Sequence, residues 1–207
     1  MSVSEPTVFI VDDDAAVQKS LASLLQEEVG IKARLFSDAK AFLEAYDPRC
    51  PGCMVLDVRM PGMSGLELQA HLKERGSRIP ILVVTGHGDI AMAVEAMKVG
   101  ALDFIEKPYR DQVMLENIRQ ALEVDTQNRL GQDDQEAFRG RFASLTERQR
   151  ELIPLLLSGK TSKEIAVVLN ISQKTVDFHR AHIFEHLEVN SVLELYQKAE
   201  KHGLTSK

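Results

Sequence analysis

The stretch Val-Phe-Ile-Val-Asp-Asp-Asp, residues 8–14, decides the fold, because a short apolar segment here runs directly into polar residues. The same arrangement recurs along the chain: Met54–Leu56 precedes Asp57, Ile81–Val84 precedes Thr85, and Phe104-Ile105 comes shortly before Lys107-Pro108. Short apolar segments bounded in this way are typical of buried strands. The polar residues that follow them are of the kinds that phosphoryl chemistry uses.

Helix-length stretches with apolar residues three and four positions apart lie between these segments. Strand and helix alternating five times predict an α/β fold, with a central five-stranded parallel sheet covered by helices on both faces. All strands of such a sheet point the same way, so the residues that follow them meet at one edge, where open α/β sheets bind ligands. We therefore expect the strand-end residues to converge on one site.

The residues expected at this edge suit the transfer of a phosphoryl group onto a carboxylate. Such a transfer needs in-line geometry and positive charge around the phosphoryl oxygens. Asp57 is the expected acceptor, and Asp12 and Asp13 offer oxygen ligands to a hard cation such as Mg²⁺. Lys107 offers a positive charge and Thr85 a hydroxyl donor to the transferred group. A lone strand-end aspartate is more often a solvated turn residue, but here four strand ends carry suitable groups together.

The composition indicates a water-soluble protein of two domains. A chain of 207 residues with 44% hydrophobic residues is longer than most single domains and can fill its cores. We expect a cytoplasmic protein without a membrane partner, because the sequence shows no signal peptide, no apolar run of the roughly 20 residues that span a membrane, and few cysteines. The net charge of −6 does not by itself suggest a nucleic-acid ligand.

The chain is expected to divide at a polar connection. Residues 125–143 are polar and poor in strand formers, and we interpret them as a linker that is partly helical. Residues 1–124 form the α/β domain, whose last helix is expected to run from about Asp111 to Val124.

Residues 144–207 are interpreted as a small all-α, tetrahelical domain. Short turns separate its four helices, and the helices within 162–187 predict a helix-turn-helix. Polar residues at the expected helix starts support these boundaries. The expected caps are Asp14 for the first helix of the chain, and Thr146, Thr161 or Ser162, Ser172 and Ser191 for the last four.

At its strand ends the sequence resembles the receiver domain of bacterial two-component response regulators, over residues 7–124. The resemblance is carried by Val-Asp12-Asp13, the lone Asp57, Thr85-Gly86 and Lys107-Pro108. It implies a flavodoxin-like (βα)5 fold with strand order 2-1-3-4-5, and transfer of a phosphoryl group to Asp57 from the phosphohistidine of a sensor kinase. The domain would accept and slowly lose a phosphoryl group without being a conventional enzyme.

The same resemblance assigns further roles around the acceptor. It implies Mg²⁺ held by Asp57, Asp13 and the Arg59 carbonyl, with Asp12 acting from further away. Phe104 lies where the family places its switch aromatic, without the tyrosine hydroxyl often found there. A buried strand phenylalanine is the alternative reading of that residue.

The C-terminal part resembles the LuxR/NarL-type helix-turn-helix over about residues 142–203, and the whole chain looks most like the FixJ branch of response regulators. The match is carried by Leu145-Thr-Glu-Arg-Gln, Gly159-Lys-Thr-Ser-Lys-Glu-Ile-Ala, Leu169-Asn-Ile-Ser, Lys174-Thr-Val and His179-Arg. By this likeness Gln173–Leu187 is the recognition helix, which enters the major groove of double-stranded DNA. The candidate DNA contacts on it are Lys174, Thr175, Asp177, Phe178, Arg180, Ala181 and His182.

Three residues of this helix depart from the family pattern. Asp177, Glu185 and His186 stand where many relatives carry basic residues, which weakens the expected attraction of one copy to DNA phosphates. We therefore expect a homodimer to bind an operator made of two half-sites.

The resemblance predicts a transcriptional regulator that phosphorylation activates. Phosphorylation is implied to promote dimerisation through a face built from the helix at about Asp89–Val99, the segment Leu102–Ile105 and the helix Asp111–Val124. The expected partners are a sensor histidine kinase, operator DNA and a second copy, with RNA polymerase as a further candidate. Two alternatives stay open: a receiver-controlled protein-binding regulator without DNA binding, and a haloacid-dehalogenase-type phosphatase that would use Asp12.

Overall fold

Five parallel strands form the sheet that the strand–helix alternation predicts. In this computed structural model, which describes residues 5–86, 90–201 and 203–204, the strands are β1 (Thr7–Val11), β2 (Lys32–Phe36), β3 (Gly52–Asp57), β4 (Ile81–Thr85) and β5 (Asp103–Glu106). Their order is β2-β1-β3-β4-β5, and every neighbouring pair is parallel. The α/β prediction, and the strand order that the resemblance implies, are therefore confirmed.

Both faces of the sheet are buried, because successive residues of one strand enter two different hydrophobic cores. Along β1, Phe9 and Val11 belong to one core, whereas Val8 and Ile10 belong to the other. This alternation explains why the strands read as continuous apolar runs in the sequence.

Four helices follow the first four strands: α1 (Ala15–Val29), α2 (Ala39–Ala45), α3 (Gly65–Glu74) and α4 (Ile90–Val99). Asp14 caps α1 as predicted, since its carboxylate accepts the backbone N–H groups of Ala16 and Val17. The expected start of α4 at Asp89 lies outside the described residues.

The fifth helix, α5 (Asp111–Ala143), is longer than the sequence indicates. It continues past the expected end at Val124, and residues 125–143 are helical throughout instead of in part. Tertiary contacts outweigh the weak local propensity of this segment. Arg129 binds the loop before β3, and Phe138 is buried in the core of the helical unit. The chain divides into two compact units between Arg129 and Leu130.

The second unit contains four further helices: α6 (Glu147–Leu157), α7 (Ser162–Leu169), α8 (Gln173–His186) and α9 (Val192–Lys201). The predicted caps Thr146, Thr161 and Ser172 each accept a backbone N–H in the first turn of their helix. Among the described residues, no helix is both long enough and apolar enough to cross a membrane.

Candidate functional site

The strand-end residues meet at the carboxyl edge of the sheet, as expected. Asp12 follows β1, Asp57 ends β3, Thr85 ends β4 and Lys107 follows β5. These four strands are neighbours in the sheet. The backbone N–H of Lys107 donates to the Thr85 carbonyl at 2.8 Å, which sets the lysine directly beside β4. The peptide bond between Lys107 and Pro108 is cis.

Lys107 joins the two buried carboxylates of this edge. Its Nζ donates to Asp12 Oδ2 at 2.6 Å and to Asp57 Oδ1 at 2.8 Å. Asp12 and Asp57 are only 5% and 7% exposed, so water screens these charges weakly. Two carboxylates share one ammonium group, and the cluster keeps an excess of negative charge.

Backbone groups hold the remaining carboxylate oxygens in place. Asp57 Oδ2 accepts the Arg59 N–H at 2.8 Å, and Asp12 Oδ1 accepts the Asp14 N–H at 2.9 Å. The Gln18 amide donates to the Asp12 carbonyl at 2.7 Å and thereby fixes the end of β1. The Asp57 carboxylate is thus held in a defined orientation by the backbone.

A close backbone approach holds the start of α3 against the end of β3. The Gly65 N–H donates to the Val58 carbonyl at 2.9 Å. A Cβ atom added to Gly65 would lie 2.1 Å from the Asp57 carbonyl oxygen, so only glycine fits there. The sequence pattern does not indicate a role for Gly65, because its contact with the backbone of Asp57 and Val58 depends on how closely the start of α3 approaches the end of β3.

Burial and charge shift the pKa values of Asp57 and Lys107 in different ways. Burial raises the pKa of Asp57 despite its hydrogen bond to Lys107, which acts in the opposite direction. For Lys107, burial lowers the pKa, but the hydrogen bonds from Nζ to Asp12 and Asp57 outweigh it and leave the pKa raised. Lys107 therefore stays charged, and the Asp57 carboxylate is more basic than an exposed one.

The candidate magnesium ligands are brought together in part. Asp13 is exposed, beside the buried Asp12, and Arg59 is exposed with its N–H bonded to Asp57. Within the described ranges, no three His, Cys, Asp or Glu side chains stand close enough to hold a metal ion. Oxygen donors and an excess of negative charge nonetheless suit Mg²⁺, which keeps several waters and needs few protein ligands.

The hydroxyl and aromatic candidates lie on the β4–β5 side of the site. Thr85 is buried, with 1% of its surface exposed. Phe104 is half-buried and packs against the core that contains Phe9 and Leu56. Its ring is therefore neither free in solvent nor fully enclosed.

The candidate DNA contacts lie on α8 of the helical unit. Val176 and Ile183 on this helix are fully buried in the core, and they define its inner face. Five of the seven candidates are exposed: Lys174, Asp177, Phe178, Ala181 and His182. The other two are half-buried: Thr175 shares a 2.7 Å hydrogen bond with Ser172, and the Arg180 guanidinium lies 5.2 Å from the centre of the Phe184 ring.

One buried ion pair near the unit boundary has no counterpart among the sequence predictions. Asp125, 4% exposed, accepts from Arg129 Nε at 2.7 Å and from the Gly52 N–H at 2.8 Å. The sequence could have indicated the ion pair itself, because Asp125 and Arg129 are four residues apart and such residues meet on one face of a helix. Nothing in the sequence indicates the loop that they bind.

Comparison with known proteins identifies both units. Residues 8–119 match the family of response regulator receiver domains. Residues 143–199 match the luxR family of bacterial regulatory proteins. The chain is 40% identical over 201 residues to the response regulator protein TmoT of Ectopseudomonas mendocina, covering 97% of this chain and 91% of TmoT. It is 42% identical over 201 residues to the transcriptional regulatory protein FixJ of Bradyrhizobium diazoefficiens, covering 95% of this chain and 96% of FixJ.

Solved structures show the same relationship. The response regulator StyR resembles this chain with a TM-score of 0.83 and 42% identity, covering 96% of this chain and 100% of the StyR chain. Full-length FixJ from B. japonicum gives a TM-score of 0.58 at 38% identity, covering 98% of this chain and 100% of the FixJ chain. Because the relatives are regulators and not conventional enzymes, the phosphatase alternative with Asp12 as nucleophile is set aside. The chain belongs to the FixJ-like transcriptional regulators of two-component systems, in which a receiver domain is followed by a luxR-family DNA-binding domain.

Proposed function

We propose that a sensor histidine kinase transfers a phosphoryl group to Asp57, and that this phosphorylation promotes dimerisation and operator binding. The observation that carries the proposal is the Lys107 ammonium between Asp12 and Asp57, 2.6 and 2.8 Å from their oxygens. A cation held at the acceptor carboxylate can follow the negative charge onto a transferred phosphoryl group. If Asp12 and Asp57 were only solvated turn residues, a half-buried lysine shared between them would have no such purpose.

In the proposed transfer, an Asp57 oxygen attacks the phosphorus of the kinase phosphohistidine. The new O–P bond forms as the N–P bond breaks, and the imidazole leaves with the electron pair. Lys107 donates to a phosphoryl oxygen, and the Thr85 hydroxyl donates to another once the group is in place. The Arg59 N–H, 2.8 Å from Asp57 Oδ2, holds the carboxylate in the orientation for in-line attack.

We propose Asp13, Asp57 and the Arg59 carbonyl as the protein ligands of Mg²⁺, with Asp12 acting from further away. When bound, Mg²⁺ supplies positive charge that offsets the repulsion between the carboxylates and the incoming phosphoryl group. Asp13 is suited to this role because it is exposed at the rim of the buried cluster.

We propose the face formed by α4, β5 and α5 as the dimer interface of the phosphorylated protein. Val94 and Met97 of α4 are 45% and 47% exposed, which leaves apolar surface available for a partner copy. Coupling between two sites is typically worth about 1–3 kcal/mol, so phosphorylation is expected to raise operator affinity roughly 5- to 150-fold.

For DNA, we propose that each copy of a dimer places α8 in the major groove of one half-site. Lys174 is exposed near the start of α8 and is proposed to pair with a phosphate. Asp177 is proposed to accept from a cytosine N4 amino group, or to repel phosphates at wrong sites. As a bacterial regulator of transcription, the protein is proposed to act in the cytoplasm, with RNA polymerase as a further partner.

Capture of genomic DNA fragments tests the proposal. The protein activated with Mg²⁺ and beryllofluoride is compared with Asp57→Asn, and we expect a two-fold-symmetric motif to be enriched only in the activated wild type. Equal enrichment by both proteins would keep DNA binding and refute control by phosphorylation. Enrichment by neither, or an affinity that does not fall with salt, would favour the protein-binding alternative.

The acceptor itself is tested by chemical mapping of the acyl phosphate after labelling with a small phosphodonor. We expect the label on Asp57, with none in Asp57→Asn. A label on Asp12 or Asp13 instead would refute the assignment. Removal of Mg²⁺ with a chelator is expected to abolish labelling of the wild type.

A further inference from the structure

Phe178 occupies an unusual place on the recognition helix. Its side chain is 60% exposed, although phenylalanine is among the residues that burial stabilises most. It lies on the side of α8 opposite Val176 and Ile183, both of which are fully buried in the core. Within the described part of the helical unit, Phe178 belongs to no hydrophobic core, so its ring does not help to fold the domain.

The exposed ring nevertheless contacts two histidine rings of the same helix. The His182 ring lies one turn further along α8, with ring centres 4.4 Å apart at an angle of 63°. The ring of the adjacent residue His179 also contacts it, with ring centres 5.8 Å apart at 68°. Contacts of this edge-to-face kind favour one arrangement of the Phe178 ring. A side chain ordered before binding loses less conformational entropy when it meets a ligand.

Phe178 and one neighbour form a small apolar surface on α8. Ala181 is exposed one turn after it, and it carries only a methyl group. Neither side chain has a hydrogen-bond donor or acceptor that could read the polar edge of a base. In the major groove, the C5 methyl of thymine is the apolar group that a base pair presents, and phenylalanine is among the side chains that contact it.

We propose that Phe178 reads a thymine methyl group in each half-site of the operator, with His182 holding its ring in position. The inference rests on the proposed binding of DNA through α8 and adds the chemical identity of one base. Phe178 is thus a specificity-determining residue, whereas Lys174 acts on the phosphates.

Replacement of thymine by uracil removes only this methyl group and therefore tests the proposal. The full-length activated protein first selects a duplex from a random library. Each thymine of that duplex is then replaced in turn by uracil, and the affinity is measured. We expect a loss of about fourfold in affinity at one position of each half-site, which corresponds to burial of one methyl group. With both positions replaced, the loss should reach about fifteenfold.

The Phe178→Ala variant shows whether this ring is responsible. We expect it to bind the thymine duplex about as weakly as wild type binds the uracil duplex, and to bind both duplexes equally. Val167→Ala is the matched control, because Val167 is a 79% exposed apolar residue on the neighbouring helix α7. That variant should keep the full preference for thymine.

The outcomes separate this inference from the proposed function. Wild type that binds the selected duplex but is indifferent to uracil at every position would refute the reading of a methyl group. A Phe178→Ala variant that keeps the uracil penalty would assign the methyl contact to another residue, and refute the role of Phe178. Failure of the activated wild type to select any duplex would overturn both the inference and the proposed binding of DNA.

Discussion

The replacement of Arg129 by methionine tests the contact between this residue of α5 and the loop before β3, both of which belong to the first compact unit. Arg129 Nε donates to Asp125 Oδ2 at 2.7 Å. Its other two nitrogens donate to the carbonyls of residues 48, 49 and 50, at 3.2, 3.0 and 2.6 Å. Methionine keeps the length and the apolar stem of the side chain but donates none of these bonds, so the change removes only the polar anchor.

The burial of the ion pair sets the expected magnitude. Removal of one partner of a buried ion pair costs about 3–5 kcal/mol, because the other charge is left without compensation. Asp125 keeps the Gly52 N–H as a donor, and the Arg129 side chain is 26% exposed, so solvent already screens part of the interaction. We therefore expect the local free energy of opening to fall by about 2–3 kcal/mol.

Hydrogen exchange followed by mass spectrometry measures this opening segment by segment, which matters in a protein of two units. In Arg129→Met, the backbone amides of the non-proline residues in 48–53 and of residues 120–130 should exchange roughly 30- to 150-fold faster, since every 1.4 kcal/mol is about tenfold. Arg119→Met is the matched control, because Arg119 is exposed on the same helix. Equal exchange in the two variants would refute the anchoring role, and Asp125→Asn added to Arg129→Met should restore part of the protection.

Three further changes probe the acceptor site and α5. Burial raises the pKa of Asp57 in the folded protein. The free energy of unfolding is therefore highest at acid pH, where Asp57 is protonated, and falls as the pH rises through the folded pKa. Asp57→Asn should therefore melt above wild type at pH 7 and lose this advantage towards pH 4; equal melting at pH 7 would contradict the reasoning. Gly65→Ala places a Cβ 2.1 Å from the Asp57 carbonyl oxygen, and should cost about 1–3 kcal/mol in urea unfolding and slow phosphorylation. Gly131→Ala, with no atom within 4 Å of the added Cβ, should slow hydrogen exchange across 125–143 by stabilising the helix by up to about 1 kcal/mol; unchanged exchange would mean that this segment is not helical in solution.

The sheet and its edge could be predicted because their signals are local. Each buried strand is a short apolar run, and Asp12, Asp57, Thr85 and Lys107 stand at the ends of such runs. Parallel connection then brings residues from distant parts of the chain to one edge, without any knowledge of their contacts. The helix caps at Thr146 and Thr161 are local in the same sense.

The course of α5 beyond Val124 could not be predicted, because its support is not local. The segment 125–143 is polar and contains Gly131 and Gly140, which by propensity favour a break in the helix. The loop that binds Arg129 lies some 80 residues earlier in the chain, and the partners of its shortest bond are 79 positions apart. The geometry of such a contact exists only once the sheet has formed.

The two sides of the acceptor site differ in how firmly they are held, and this difference bears on the direction of the proposed signal. On the β1 side, the Gln18 amide donates to the carbonyls of Asp12 and Phe36, both at 2.7 Å, and so locks two strand ends together. On the β5 side, the Lys107 ammonium pairs with Asp57 as well as with Asp12, and the backbone of Lys107 is bonded to β4. A phosphoryl group on Asp57 would replace one negative charge by about two and draw this lysine with it. We therefore expect the shift to spread towards β4, β5 and α4, whose exposed apolar residues form the proposed dimer face, and to leave β1 and β2 in place.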